Sequence, residues 1–382
     1  MVAAPAAAPA MGDTTGWLVE LAGAPLPGRR VEEWRFTDLS PLGGISPCLA
    51  PSALHAANFE LPAGVERLDS ATVAAVLDRV ATTTGSDQHW PVRLNRAAIT
   101  QGDGAVLALR VRGSVAEPLL LARGLSSAGL EVRQLVLVLD PGASLELLQV
   151  AAADAGAKEG AALCALTAVC LGEGSSLRAG LLAQGQARAS LLAHWLVVQE
   201  PGSQLALTSA VSGWDLARFE PRVVQSSGGA HTQLRALQVC TGQQITDTHS
   251  FVRFDGPEGT LDQLHKAVAD GQGRSVFNGA VQVPCAAQRT NAAQLSRNLL
   301  LSDRARIDTK PELEIVADDV KCAHGATVSR LREDELFYLQ SRGIAADQAA
   351  TLLKRAFCEE VLRDLPAAAA GWNPLAHLLA QA

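Results

Sequence analysis

The run Leu135–Leu147, LVLVLDPGASLEL, carries five apolar residues into a Pro-Gly turn and out again into a second alternating stretch. The same grammar returns at Thr167–Ala179, TAVCLGEGSSLRA, and at Trp195–Leu207, WLVVQEPGSQLAL. In all three a leucine follows the turn glycine by three positions: Gly142/Leu145, Gly174/Leu177 and Gly202/Leu205. The glycines stand 32 and 28 residues apart, with weaker echoes at Gly229 before Leu234 and at Gly259 before Leu261. A period near 30 made of short strands and one recurrent turn predicts a solenoid of β-coils. A β-sandwich also uses short strands, but it does not require the same turn chemistry at each repeat. The fold expected is therefore mainly β, a parallel β-helix over 101–328.

Upstream, MVAAPAAAPAMGDTTG has the composition of a disordered Ala/Pro tail, placed at 1–16, and residues 17–100 form a mixed, partly helical region. Ser70 is the expected cap of a helix whose Val73, Val76, Leu77 and Val80 share one face. In Arg30–Leu42, RVEEWRFTDLSPL, the aromatics are expected to pack against a core, Trp34 included, ahead of any binding role. Downstream, 329–382 turns helical. REDELFYLQSRG ends at Gly343. AADQAATLLKRAFCEEVL then places Ala349, Leu353, Phe357 and Val361 at four-residue spacing, and Asn373-Pro374 opens a last helix. A coil stack exposes strand edges at its ends, so these helices are expected to pack on the end of the solenoid and to offer a second face to a partner.

Composition excludes several classes. The chain has 382 residues, is 48% apolar, and has a net charge of −7 without a basic block, which argues against a nucleic-acid surface. The longest apolar run, Ala161–Leu171, is about half the ~20 residues of a membrane span, and no Lys or Arg precedes the apolar residues of the N-terminus as in a secretory signal. A cytoplasmic address follows as the expectation. No GxxxxGK[ST], HExxH or GxSxG is present, so any ATP hydrolysis must come from another subunit. A polysaccharide-active β-helix would need a carboxylate cluster and a secretory signal, and the sequence displays neither.

Seven cysteines without a CxxC pair form neither a disulfide framework nor a closed zinc site. The compact constellation is Cys322-Ala323-His324. Thiolate and imidazole suit iron, zinc and copper(I), and residues i and i+2 of a strand share a face. Two ligands cannot close a tetrahedral site, but they can supply half of one at an interface or hold a cluster transiently. The competing reading is a buried thiol beside a hydrogen-bonded imidazole. Asp318 and Asp319 fit a turn before the strand, and His249 and His265 are expected to be hydrogen-bonded singletons.

VFNGAVQV (Val276–Val283), AQRTNAAQLSRNLLLSDRARIDTKPELEIVADDVKCAHGATV (Ala287–Val328) and LFYLQSRGI (Leu336–Ile344) resemble the SufD family of iron–sulfur cluster assembly scaffolds, as does EEWRFT (Glu32–Thr37). The resemblance is dense over 247–360. It implies a right-handed parallel β-helix between helical ends, a non-catalytic scaffold, a SufB paralogue as partner, and docking of the ABC-type ATPase SufC on the C-terminal helices. Docking is expected through Leu336, Phe337, Tyr338, Arg342, Leu353 and Phe357. His324, with Cys322 assisting, would handle a transient iron–sulfur cluster shared with SufB. No resident metal or cofactor is implied, a flavin in the complex is left open, and the isolated chain has a homodimer open to it. SufB-like chains carry His-Glu-Ala-Thr where this one has His324-Gly325-Ala326-Thr327, and their functional cysteine falls near Ser296. Both departures point to SufD within the superfamily. A stand-alone iron or redox carrier is the alternative from another class.

Overall fold

The computed structural model describes residues 15–52, 61–102, 105–125, 127–153, 159–185 and 188–381. The Ala/Pro tail lies outside them as far as residue 14, and Thr15 and Gly16 already open helix α1 (Thr15–Ala22). The expectation of a mainly β parallel helix holds: strands make up 46% of the described residues, in a solenoid of about seven turns with helices before and after it in the sequence.

Each coil gives one strand to each of two sheets. Leu216–Gln225 pairs in parallel with Ala189–Gln199 on one side and Ile245–Phe254 on the other. Between these strands in sequence, Gln204–Ser212 and His231–Cys240 pair with each other in the opposite sheet. Side chains alternate inward and outward. Leu205, Leu207, Phe219, Val223 and Leu234 point into one continuous core, and this burial of whole columns of Leu, Val and Ala drives the stack.

The turns form their own ladder. Gly142, Gly174, Gly202 and Gly229 all have positive φ, and each donates its N–H to the carbonyl of the matching turn one coil on, to Glu173, Pro201, Gly229 and Pro257 respectively. Only glycine enters this region without a Cβ penalty, which is why the repeat is visible in the sequence. The ladder continues, however, through Glu258 (φ 63) and Arg289 (φ 58), bonded to Gln288 O and Asp319 O. The echo at Gly259 is thus one residue off: Glu258 occupies the stacked position.

At the N-terminal end the antiparallel strand Val65–Arg67 pairs with Ala105–Val111 and closes the first sheet. Helices α2 (Ser70–Thr83) and α3 (Trp90–Thr100) cover that sheet's outer face through Leu77, Val80, Val92 and Leu94. The cap of α2 is Asp69 rather than Ser70: its carboxylate accepts from Thr72 N at 2.9 Å, because Asp69 has the extended backbone that a cap needs. Glu32–Trp34 forms a short 3-10 turn held by Arg218, which is fully buried. The Arg218 guanidinium lies 3.9 Å from the Trp34 ring centroid, donates to Glu33 O at 3.1 Å and to Glu220 at 2.9 Å, and pairs with Asp247. Thr37 Oγ1 donates to Asp247 at 2.5 Å. Trp34 is therefore a packing residue, as expected.

Helices α4 (Glu333–Ser341), α5 (Ala346–Leu362) and α6 (Pro374–Gln381) correct one expectation. They do not pack on the end of the solenoid. Cys358 and Val361 of α5 and Leu378 of α6 lie against Leu237, Val239, Leu264 and Val268, outward residues of the second sheet, so the helices cover its side. Lys266, buried at 2% exposure among these apolar groups, pins α5: Nζ donates to Phe357 O at 2.8 Å and pairs with Glu360. No helix among the described residues is long and apolar enough to cross a membrane.

Candidate functional site

The stretch that carries Cys322 and His324 is the last coil. Its strands, Arg306–Ile315 and Lys321–Ser329, are the outermost members of their sheets, so each has a neighbour on one side only. At this end backbone N–H and C=O groups face outward unpaired by sheet partners, together with Ile315, Val316 and Val328, which are 41%, 60% and 44% exposed. Among the described residues α5 and α6 lie against the side of the second sheet rather than across this end, and α4 packs against α5.

Cys322 and His324 occupy inward positions of the final strand. Their register partners are Ala292 and Gln294, and Cys322 is half-buried against the main core. His324 is exposed because no further coil stacks above it. Burial raises the Cys322 thiol, with a backbone hydrogen bond at Ala292 opposing. The structure thus puts sulfur and imidazole on one face at an uncovered end, as the i, i+2 spacing requires. Among the described residues no group of three or more His, Cys, Asp or Glu converges as a metal site. Two such side chains alone cannot close a tetrahedral metal site.

Below that face the lumen turns polar. Ser296 accepts from Thr309 Oγ1 at 3.0 Å and Asn298 Nδ2 at 2.9 Å, and lies 3.4 Å from His265 Nδ1. His265 stacks on Phe277 at 4.2 Å, and burial pushes its imidazole down to about 3, so it is neutral at neutral pH. Both histidines expected to be satisfied keep one ring nitrogen without a hydrogen-bond partner, His249 Nδ1 and His265 Nε2. The sequence reading missed this because it weighed each histidine alone. The alternation of polar residues at 294, 296 and 298 was the available signal. Asp318 and Asp319 form the bend before the final strand, where the Asp319 backbone N–H donates to Gln288 Oε1 at 2.9 Å.

The residues read as a docking surface separate into two sets. Phe337 and Tyr338 are 72% and 58% exposed, and α4, which buries none of its residues, presents them beside Arg342, 5.3 Å from the Tyr338 ring. Leu336 and Leu353 are half-buried. Phe357 instead faces the solenoid, its ring 4.1 Å from Lys266 Nζ, so it serves internal packing.

With this geometry in hand, comparison with known proteins is direct. A family model described as SUF system FeS cluster assembly, SufBD core domain, matches residues 123–357. An iron–sulfur cluster assembly SufBD family protein of Synechocystis is 45% identical over 177 residues, 46% of this chain and 39% of that protein. SufD of Escherichia coli is 38% identical over 133 residues, covering 35% and 31% respectively. SufD of Bacillus subtilis is 35% identical over 140 residues, covering 36% and 32%. The chain spans less than half the length of these curated relatives it matches.

Proposed function

The chain belongs to the SufBD core family of the SUF iron–sulfur cluster assembly system, and on that premise we propose that it is a non-catalytic scaffold subunit whose open coil pairs with a SufB paralogue. The observation that carries this is the uncovered pair of edge strands with Cys322 and His324 on their inward face. Edge strands of this kind are completed by a partner's strands, and main-chain hydrogen bonds then supply affinity without sequence-specific pockets. The nascent cluster is cargo at this junction: Cys322 offers sulfur and His324 a ring nitrogen, and SufB supplies what two donors cannot. Gly325 and Ser296 stand where SufB-like chains carry an acid and a thiol, which supports the supporting rather than the primary role. The protein works in the cytoplasm, with no resident cofactor.

On the same reading α4 docks the SufC ATPase. Large, exposed Phe337 and Tyr338 on a helix without buried residues are the pattern of an anchor awaiting a groove. Only Arg330–Arg332 separate the end of the His324 strand from the start of α4, so force on the helix reaches the open coil directly.

The test is co-expression with SufB and SufC, purification, and assay of iron and sulfide. His324→Ala is expected to leave the complex intact and lower its cluster content; full cluster content would refute the role of His324. Phe337→Ala with Tyr338→Ala, both surface changes, is expected to abolish SufC co-purification while SufB stays bound. Retained SufC would refute the docking claim.

A further inference from the structure

One column of inward residues runs the length of the second sheet to the open end. In successive coils it reads Leu207, Leu234, Gln263, Gln294, His324. It is apolar where the core is deep and changes to amides over the last coils before His324. Gln294, 3% exposed, donates from Nε2 to Gln263 Oε1 at 2.9 Å, and Gln263 donates from Nε2 to Ser250 Oγ at 2.6 Å. In a ladder of stacked amides each group donates to one neighbour and accepts from the other. Gln294 turns its amide nitrogen toward the interior, and its Oε1 is buried without a partner. The next rung in that column is His324.

A second, independent feature keeps the amide in place. A Cβ at Gly279 would lie 2.3 Å from Gln294 Nε2 and 2.6 Å from the Phe277 ring. Gly279 is not among the positive-φ glycines, so its backbone does not demand glycine. It stands there to leave space for the Gln294 side chain. The VFNGAV motif is thereby accounted for: Phe277 packs His265, and Gly279 admits Gln294.

We propose that Gln294 is the positioning residue for His324: its Oε1 accepts one imidazole N–H, fixing the tautomer and turning the other ring nitrogen toward the partner face. Paired rungs of a parallel sheet lie ~4.8 Å apart, within reach of an amide and an imidazole. A hydrogen bond at one ring nitrogen decides which tautomer persists and hence which nitrogen is free to ligate. A buried carbonyl gains from a donor that the open end cannot otherwise supply. The inference rests on the proposed role of His324 only for its consequence; the contact itself needs neither cluster nor partner.

The full-length protein, 15N-labelled, gives the tautomer ratio of His324 from long-range proton–nitrogen spectra at pH 8, with His324→Asn identifying the signals. Gln294→Leu is expected to move that ratio by at least about threefold toward that of free histidine. Gln294→Glu, whose carboxylate can likewise accept from His324, is expected to keep it. Gly279→Ala, which displaces the amide without removing it, is expected to move the ratio in the same direction as Gln294→Leu. An unchanged ratio in Gln294→Leu overturns the proposal whatever the cluster assay shows. A shifted ratio supports it, and if cluster assembly with SufB and SufC then stays at the wild-type level, the role of His324 fails while the positioning contact stands.

Discussion

Glu258 and Arg289 stand at the same turn of successive coils, both in the left-handed region that earlier coils reserve for glycine, and are joined by an ion pair of 2.7 Å. Both side chains are about 60% exposed, so the pair itself contributes little. Left-handed backbone costs a residue with a Cβ ~1–2 kcal/mol, whereas glycine there loses ~0.5–1 kcal/mol through chain entropy. Glu258→Gly is therefore expected to change stability by less than about 1 kcal/mol. Gly202→Ala at the equivalent turn is expected to lower it by ~1–2 kcal/mol. Urea midpoints at constant m decide; equal losses in both variants would refute the equivalence of the two turns.

The Arg218 cluster is a second site of large expected effect. Burial alone would push the Glu220 carboxyl up, but Arg218, His194 and His89 together hold it well below the usual carboxylate range. Removing the cation leaves Asp247 buried with only the Thr37 hydroxyl, and Glu220 with its histidine and Arg222 contacts. Arg218→Met is expected to cost ~3–5 kcal/mol and to free the Glu32–Thr37 segment. Hydrogen exchange over residues 32–37 measures the release, and protection unchanged from wild type would show that the clamp is dispensable.

Acid sensitivity follows from the buried histidines. Burial lowers His265 to about 3 and lowers His194 and His249 as well; Glu220 is the main opposing group at His194, and Arg218 adds to the lowering at His249. Between ~6.5 and its folded pKa each such histidine binds protons in the unfolded chain but not in the folded one. Stability is complete above ~6.5 and falls as pH drops, by ~1.4 kcal/mol per pH unit for each group. Asp247, raised by burial against Arg218 and Thr37, works in the opposite direction at lower pH. Denaturant titrations at pH 7.5 and 5.5 should show a loss that is smaller by ~1 kcal/mol in His265→Phe; an equal loss would mean His265 is not neutral in the fold.

Thiol reactivity reports on the open end. Cys164 and Cys240 are pushed up to about 12 and Cys358 to about 11 by burial. Cys48 and Cys285 are exposed, and Cys322 is half-buried. Alkylation at pH 8, read by peptide mass spectrometry, is expected to modify Cys48 and Cys285 first, Cys322 more slowly, and the buried thiols only on unfolding. Binding of SufB should protect Cys322 and leave Cys48 reactive. Cys322 labelling at the free rate in the complex would place the interface elsewhere.

The β-coil was legible because its strongest signals are local. A glycine turn before a Leu-rich strand recurs wherever the backbone must turn left-handed, and inward apolar columns repeat in step. The i, i+2 spacing of Cys322 and His324 likewise follows from strand geometry alone. Where the turn position passed to Glu258 and Arg289 the signal faded, because stacked hydrogen bonds and a cross-coil ion pair replaced the glycine.

By itself the sequence determined the repeat, the solenoid, the family and the i, i+2 placing of Cys322 and His324. Tertiary structure alone decided that the C-terminal helices lie along the side, that the last coil is uncovered, and that Phe357 faces inward while Phe337 faces out. It also decided which residues stand beneath His324. Gln263, Gln294 and His324 become neighbours only through register across coils of about 30 residues, and no local propensity encodes that pairing. The stretch Lys310–Val328 carries Cys322 and His324, and the stack beneath it sets Gln294 in register with His324.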